Sequence, residues 1–202
     1  MRWDRLFADL EARFDELADA EAAAESADRE RVAIGAVSAI QRLSGSIDRQ
    51  VRVRLAGGAS VGGVLRTVGP DRLLLTEGQG RDCLVTLSAV TAVEGLTAST
   101  GPEMTALAQR LDLRRALRGL ARDRSPVAVA MSGWTGGSAG LGAGAYGPTG
   151  SAELTGTIDR VGSDFIEVAV HAPWEPRRAG TVRSVALVPL AGIVLVRALP
   201  LG

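Results

Sequence analysis

Apolar and polar residues follow the same pattern in two separate stretches of this chain. Residues 63–75 align without a gap with residues 156–168, at a constant separation of 93 positions. Both stretches have two glycines, a valine and an aspartate at identical places. The apolar positions also correspond: Leu65, Val68, Leu73 and Leu75 match Ile158, Val161, Ile166 and Val168. A duplicated strand-turn-strand unit retains this kind of match.

The similarity continues on both sides of this unit. Residues 51–55 match residues 127–131 at a separation of 76, and residues 84–93 match residues 187–196 at a separation of 103. The separation grows because the second copy has longer loops, since a strand cannot absorb an insertion without exchanging its faces. The sequence therefore predicts two copies of a small module, each with a helix followed by five short strands.

The first 45 residues have the apolar periodicity of helices. A seam with spacings of four and three is formed by Trp3, Phe7, Leu10, Phe14 and Leu17. Residues 1–30 contain ten acidic residues and four arginines, so the remaining surface of this helix is acidic. The seam either packs on the rest of the chain or binds a partner, by self-association or in a groove of another protein.

Two further helices are predicted, one ahead of the strands of each copy. The first covers about residues 31–43 and stops at Gly45, and the second covers about residues 102–122. Four arginines of the second helix fall on a single stripe at spacings of four: Arg110, Arg114, Arg118 and Arg122. This stripe is either a solvated face or a strip that binds phosphates or an acidic helix.

Composition limits the possible classes of function. The chain has 202 residues, 46% of them hydrophobic, which is enough for one or two cores. The formal net charge is zero, so no overall field attracts nucleic acid or a membrane. All 23 basic residues are arginine, and the sequence has neither lysine nor asparagine. The single cysteine, Cys83, excludes an internal disulfide and is expected in the core.

The hydrophobic pattern does not indicate a secreted or membrane protein. Residues 1–30 lack the apolar run of a secretory signal. The uncharged stretch at residues 184–196 is too short for a membrane helix. We therefore expect a cytoplasmic protein with no membrane partner.

The order of these parts resembles the Sm-like family, the small bent β-barrels of Sm, LSm and Hfq proteins. The resemblance rests on a Gly-x-Leu-x-x-Val pattern ahead of an acidic turn, which here covers Gly63 to Asp71, and on a very short turn between the last two strands, Leu87 to Val90. The second copy has the matching patterns at residues 156–161 and 190–193.

The resemblance implies an α+β, mostly β fold with two tandem five-stranded bent barrels, each preceded by a helix. The expected organisation has three parts: an amphipathic helix at 1–30, a first module at 31–99 and a second module at 100–202. The second module carries a Gly-rich loop at 132–151.

Members of the family hold an RNA base with an Asn between the second and third strands and an Arg-Gly pair before the last strand, or, in Hfq, with Gln and Lys-His residues. The corresponding loops here, residues 68–72 and 161–165, contain no Asn, and the later turns lack both Arg-Gly and Lys-His. The fold is therefore expected to carry over from the family, whereas its RNA pocket is not.

Catalytic constellations are not found. His171 is the only histidine and has no cysteine or carboxylate at ligand spacing, so neither a triad nor a zinc site is supported. Asp71 and Asp164 occupy the same place in both copies, where an Asp bonds turn amides with its side chain. We expect no enzyme activity, metal or cofactor.

Two functional classes remain. The first is a non-catalytic assembly or adaptor protein, a homo-oligomer with a protein partner on the N-terminal seam, because open barrels leave edge strands unpaired. The alternative is an RNA-binding protein that uses arginine and aromatic residues. Its candidates are the stripe Arg110, Arg114, Arg118 and Arg122 and the group Trp174, Arg177 and Arg178.

Overall fold

The fold is given by a computed structural model that describes residues 2–132, 153–172, 175, 177–178 and 180–199. The chain divides into two compact units, Met1–Ala39 and Ile40–Gly202. The first unit contains one long helix, α1 (Arg2–Gly35). The predicted Gly-rich loop lies outside the described residues beyond its first residue, Ser132.

The second unit contains all the described strands. In chain order its elements are α2 (Ala39–Ser44), β1 (Gln50–Leu55), β2 (Ser60–Val68), β3 (Arg72–Glu77), β4 (Arg81–Thr86), β5 (Val90–Glu94), α3 (Ala106–Gln109), α4 (Leu113–Arg122), β6 (Pro126–Met131), β7 (Glu153–Val161), β8 (Phe165–Val170), β9 (Ser184–Pro189) and β10 (Ile193–Ala198). Single 3₁₀ turns join β4 to β5 and β9 to β10, at Leu87–Ala89 and Leu190–Gly192.

The ten strands form one antiparallel sheet in the order β5-β1-β2-β3-β4-β10-β6-β7-β8-β9. The predicted α+β, mostly β class is therefore confirmed. The expectation of two separate barrels needs correction, because the sheet continues from one half to the other through the pairing of β4 with β10 and is not closed into a barrel. Each half contributes five adjacent strands in the same order.

Irregularities of the sheet recur at matching places in the two halves. The pairing of β2 with β3 shifts register between Leu65 and Thr67, and that of β7 with β8 shifts between Ile158 and Arg160. A second shift separates Arg54 from Leu55 in the first half, and the second half has its counterpart where Ile193 and Leu195 face Met131 and Ala130. The duplication read from the sequence is thus a duplication of backbone geometry, because bulges fix strand curvature and register.

Two apolar cores lie one in each half and overlap at the junction. The first contains buried side chains of β1 to β4 and also Ala130, Val194 and Leu195 of the second half. The second contains side chains of α4 and β6 to β10 and also Leu84 of the first half. Each core is therefore completed by residues from the other half.

The prediction of one continuous helix over residues 102–122 is wrong, because the structure has two helices there, α3 and α4. Asp112 begins α4 by accepting a hydrogen bond from the Arg115 amide at 2.8 Å. The preceding carbonyl, that of Leu111, accepts from Arg72 Nε at 3.1 Å instead of continuing a helix. The cap at Asp112 and the contact of Leu111 with Arg72 therefore interrupt the helix between α3 and α4. The helix predicted at 31–43 is also divided, between the end of α1 and α2.

The two glycines that open the repeated pattern are required by close backbone approach. A Cβ added at Gly63 would lie 2.7 Å from the Thr76 carbonyl oxygen, and one at Gly156 would lie 2.1 Å from the Ala169 carbonyl oxygen. At neighbouring Gly62 the nearest atom would be 3.8 Å away, an ordinary contact. Each of these two glycines thus lets the neighbouring strand approach closely.

We expect Gly63→Ala to lower the free energy of unfolding by about 1 to 3 kcal/mol, because the neighbouring strand must move to admit the methyl group. Gly62→Ala is the matched control and should cost far less. Urea denaturation of both variants measures the difference. Equal stability of the two variants would contradict this account of Gly63.

Candidate assembly interface

The junction between the halves is built by backbone pairing and apolar packing. Val85 faces Leu195, Leu84 faces Val196, and Cys83 faces Arg197 along the antiparallel β4 and β10. Leu84, only 8% exposed, enters the core of the second half. The β4 side also donates a side-chain hydrogen bond, from the Thr86 hydroxyl to the Ile193 carbonyl at 2.7 Å.

A buried charged cluster lies at one end of this junction. Arg197 on β10 donates from Nε to Glu77 Oε2 of β3 at 2.9 Å, and from Nη1 to Glu153 Oε1 of β7. The side chains of Arg197 and Glu153 are 7% and 9% exposed. Burial raises the pKa of the Glu153 carboxyl, with Arg197 acting in the opposite direction. One cation therefore serves two carboxylates from different halves.

Sequence reasoning did not find this cluster. Its three members are separated by 76 and 44 positions, and each resembles an ordinary charged strand residue. The only available signal was a charge on the last strand, within a run of residues that are otherwise apolar.

Contacts from the first half also hold the start of α4. Asp71 Oδ1 accepts a hydrogen bond from the Leu113 amide at 2.8 Å, while its carbonyl accepts from Leu87. The carbonyl of the repeat-equivalent Asp164 accepts in the same way from Leu190. The expectation that the two side chains bond amides of their own turns is wrong: the Asp71 carboxylate accepts from the first amide of α4, and the Asp164 carboxylate accepts from the Ser163 hydroxyl.

A cavity of about 300 Å³ lies beside this capped helix end. Its lining comes from both halves: Asp71, Thr86, Ser88, Asp112, Leu113, Arg114, Ser163, Leu190 and Ala191. Both aspartates already accept hydrogen bonds from amides of α4. The two carboxylates of the lining are therefore engaged by the helix that borders the cavity.

The strands at the two ends of the sheet have side chains that are much more exposed to solvent than their counterparts at the junction. Leu187 of β9 matches Leu84 but is 61% exposed, and neighbouring Val185 is 59% exposed. On β5, Thr91 and Ala92 are exposed, although their counterparts on β10, Val194 and Leu195, are buried. The described chain provides no further strand beside β5 or β9.

The arginine stripe is only partly continuous. Arg114, Arg118 and Arg122 share one face of α4, whereas Arg110 lies before this helix, at the end of α3. Arg114 is 3.9 Å from Asp112, and Arg118 and Arg122 are exposed without an ion pair to any residue described. A role of this stripe in binding stays a prediction.

The second group of candidate nucleic-acid residues is not seen as a whole. Arg177 forms two hydrogen bonds of 2.6 Å with the Asp159 carboxylate, and this lowers the pKa of Asp159. The Arg178 amide donates to the Thr181 hydroxyl at 3.0 Å. Trp174 lies outside the described residues. Binding of a base beside these arginines stays a prediction.

The candidate partner-binding seam lies on α1. Phe14 and Leu17 are exposed on this helix. The side chains of Trp3, Phe7 and Leu10 lie outside the described part of the structure, although their backbone belongs to the helix. A partner for the seam stays a prediction.

The remaining reactive side chains are held in structural contacts. His171 is buried, its Nδ1 donates to the Ala172 carbonyl at 2.9 Å, and its Nε2 shares a hydrogen bond of 2.8 Å with the Thr157 hydroxyl. Cys83 is buried as expected, and burial raises the pKa of its thiol to about 12.

Among the residues that the structure describes, no three histidines, cysteines or carboxylates are grouped as metal ligands would be. None of the described helices combines the length and the apolar character needed to cross a membrane.

The sequence was compared with models of protein families and with curated proteins. No family model matches the chain, and no curated protein matches it.

Arg197→Leu should lower the free energy of unfolding by about 3 to 5 kcal/mol, because it leaves two buried carboxylates without their cation. The matched control is Arg177→Leu, which removes another carboxylate-paired arginine at an exposed position and should change stability little. Thermal and urea unfolding of both variants measure the contrast. A small effect of Arg197→Leu would show that the cluster does not hold the junction.

The pH dependence of stability should report the state of Glu153. Because its folded-state pKa lies above the usual value of 4.5, the stability it contributes is present at lower pH and is lost as pH rises through the folded pKa. The melting temperature of the natural chain minus that of Glu153→Gln should therefore fall as the pH rises above the usual pKa of 4.5.

Asp159→Asn provides a control of opposite sign, because the pKa of Asp159 is lowered and its contribution is lost as pH falls. If the melting-temperature differences of the two variants changed with pH in the same direction, the raised pKa of Glu153 would be contradicted.

Proposed function

We propose that this chain is a non-catalytic assembly module of the Sm-like type, which self-associates and binds protein partners through the free edges of its sheet. The observation that carries the proposal is the state of β9, an edge strand with apolar side chains in solvent. Val185 and Leu187 of this strand are each more than half exposed. An apolar edge strand presents unpaired amides and carbonyls together with surface that favours burial.

The Sm-like part of the proposal is supported by the order and joints of each half. A helix precedes five strands, the repeated glycine lies where strands approach closely, and a single 3₁₀ turn joins the fourth strand to the fifth. Gly69 and Gly162 also lie in equivalent turns, since their amides donate to Arg72 and Phe165 carbonyls. These are the features on which the sequence resemblance rests.

A structural role is supported by what the polar groups do. Asp71 caps α4, His171 bridges neighbouring backbone and hydroxyl groups, and Arg197 joins the halves. Each of these side chains has its hydrogen-bonding capacity directed at the fold. On β9 the most exposed large side chains, Val185 and Leu187, are instead apolar, which suits association.

RNA binding is the second candidate, supported by the exposed face of α4. Arg118 and Arg122 lie one helical turn apart and point to solvent, an arrangement that suits a phosphate backbone. The near neighbours Arg115 and Arg124 are exposed as well. The assembly reading is preferred because Arg177, a main RNA candidate, is already engaged by Asp159.

We expect light scattering to return a mass above the 20.9 kDa of one chain. Leu187→Lys should shift the mass towards 20.9 kDa, because a charge on the edge opposes burial there. Leu107→Lys is the matched control, since Leu107 is 72% exposed and lies on α3, not on a strand. A mass of one chain at every concentration would refute self-association.

The same samples discriminate the RNA alternative through the ratio of absorbance at 260 and 280 nm. Co-purified nucleic acid that is released steeply as salt rises would favour that alternative.

A further inference from the structure

Charge is divided unevenly along this chain, although its formal net charge is zero. Helix α1 (Arg2–Gly35) contains ten acidic residues and five arginines. Residues 106–122, which cover α3 and α4, contain five arginines and one aspartate. One helix is therefore acidic and another segment is basic, and the rest of the chain is close to neutral.

The basic charges form one exposed surface on α4 and the residue before it. Leu113 and Leu117 bury the opposite side of α4, so its arginines face solvent. We define the arginine surface by its five members: Arg110, Arg114, Arg115, Arg118 and Arg122. Among the residues that the structure describes, only Asp112 forms an ion pair with this surface, with Arg114 at 3.9 Å. Most of its charge is therefore uncompensated within the described chain.

Apolar side chains lie beside these arginines. Leu107 and Leu111, on either side of Arg110 in the sequence, are 72% and 39% exposed. A phosphate backbone would neutralise the arginines but leave these leucines uncovered. The surface as a whole fits a partner that combines carboxylates with large apolar side chains.

Helix α1 has this combination. Phe14 and Leu17 are 68% and 63% exposed, and the neighbouring Glu16 and Asp19 are exposed as well. Every side chain of α1 that the structure describes is exposed. Alanine, glutamate and arginine make up more than half of the helix, so it forms without a packed face. With a length of about 50 Å, it can extend along another helix over many turns.

Pairing of α1 with a second α1 is disfavoured by its own charge. Continued beyond Leu17 at the same spacings, the apolar seam reaches Glu21, Ala24 and Asp28. A coiled coil needs apolar residues at such positions over several heptads. Two copies of α1 would also repel each other, because each has a net negative charge. The arginine surface offers α1 the opposite charge.

We infer that α1 of one copy of this chain docks on the arginine surface of a second copy. Its carboxylates lie beside the arginines, and Phe14 and Leu17 cover Leu107 and Leu111. This contact uses neither β5 nor β9, so it goes beyond the proposed contacts at the sheet edges. Every chain contains both the helix and the surface, so two copies that exchange helices cover both surfaces.

The lack of lysine in this chain permits a direct test in the full-length protein. Arg118→Lys keeps the positive charge and introduces the chain's one side-chain amine, which a carbodiimide can join to a carboxylate in contact with it. Isotope-labelled Arg118→Lys chains are mixed with unlabelled natural chains after nuclease treatment, and the cross-linked peptides are identified by mass spectrometry. Arg52→Lys is the matched control, because Arg52 is an exposed arginine on β1.

We expect peptides that join position 118 of a labelled chain to an α1 carboxylate of an unlabelled chain, and none from Arg52→Lys. Their yield should fall steeply between about 0.1 M and about 1 M salt, because the screening length falls from about 10 Å to about 3 Å. Cross-links to α1 within a single chain only would overturn docking between copies. No cross-link to α1, together with co-purified nucleic acid that Arg118→Glu removes, would overturn it in favour of RNA.

Charge exchange supplies a second measurement, in chains whose edge contact is blocked by Leu187→Arg. One chain carries Arg118→Glu and Arg122→Glu, and the other carries Glu16→Arg and Asp19→Arg. Light scattering at low salt should give a higher mass for the mixture than for either chain alone, because mixing restores opposite charges between copies. No gain in mass on mixing would overturn the docking.

The same Leu187→Arg background separates this contact from the proposed function. The cross-link from position 118 to α1 should persist there, since the helices lie away from β9 in sequence and pair through other side chains. Loss of the cross-link in this background would overturn docking as a contact of its own. A cross-link that persists while Leu187→Lys leaves the mass of the natural assembly unchanged would support the docking and count against the edge contacts.

Discussion

The pairing of β4 with β10 is the contact on which the whole second unit depends. It turns two five-stranded halves into one sheet and places Leu84 in the core of one half and Leu195 in that of the other. Apolar burial supplies the attraction but is tolerant of register. The register is set by Arg197. Its two carboxylate partners belong to β3 and β7, and Arg197 pairs with both of them in this arrangement.

Much of the fold was accessible from the sequence because duplication doubles every signal. The recurring Gly63 and Gly156, and the apolar positions beside them, predict the strands and their turns. Each is a local property of a strand or a turn. The α+β, mostly β class and the structural role of Cys83 followed from the same local patterns.

The parts that sequence reasoning missed depend on residues distant in the chain. The break between α3 and α4 arises because Arg72 binds the carbonyl of residue 111 and Asp71 binds the amide of residue 113. Helical periodicity does not indicate these two contacts. The joining of the halves into one sheet depends on Arg197 meeting Glu77 and Glu153. The family resemblance implied open edge strands in both halves, but not that β4 and β10 would cover each other within the chain.

The place of β10 in the sheet has a consequence for how the protein folds. This strand lies between the two halves, yet it follows every other described strand in the sequence. During synthesis the first half emerges with the β4 edge uncovered and Leu84 in solvent, and it stays so until residues 193–198 leave the ribosome. Contacts between residues so far apart in sequence form slowly. The nascent chain therefore passes through a period in which it needs protection from its neighbours.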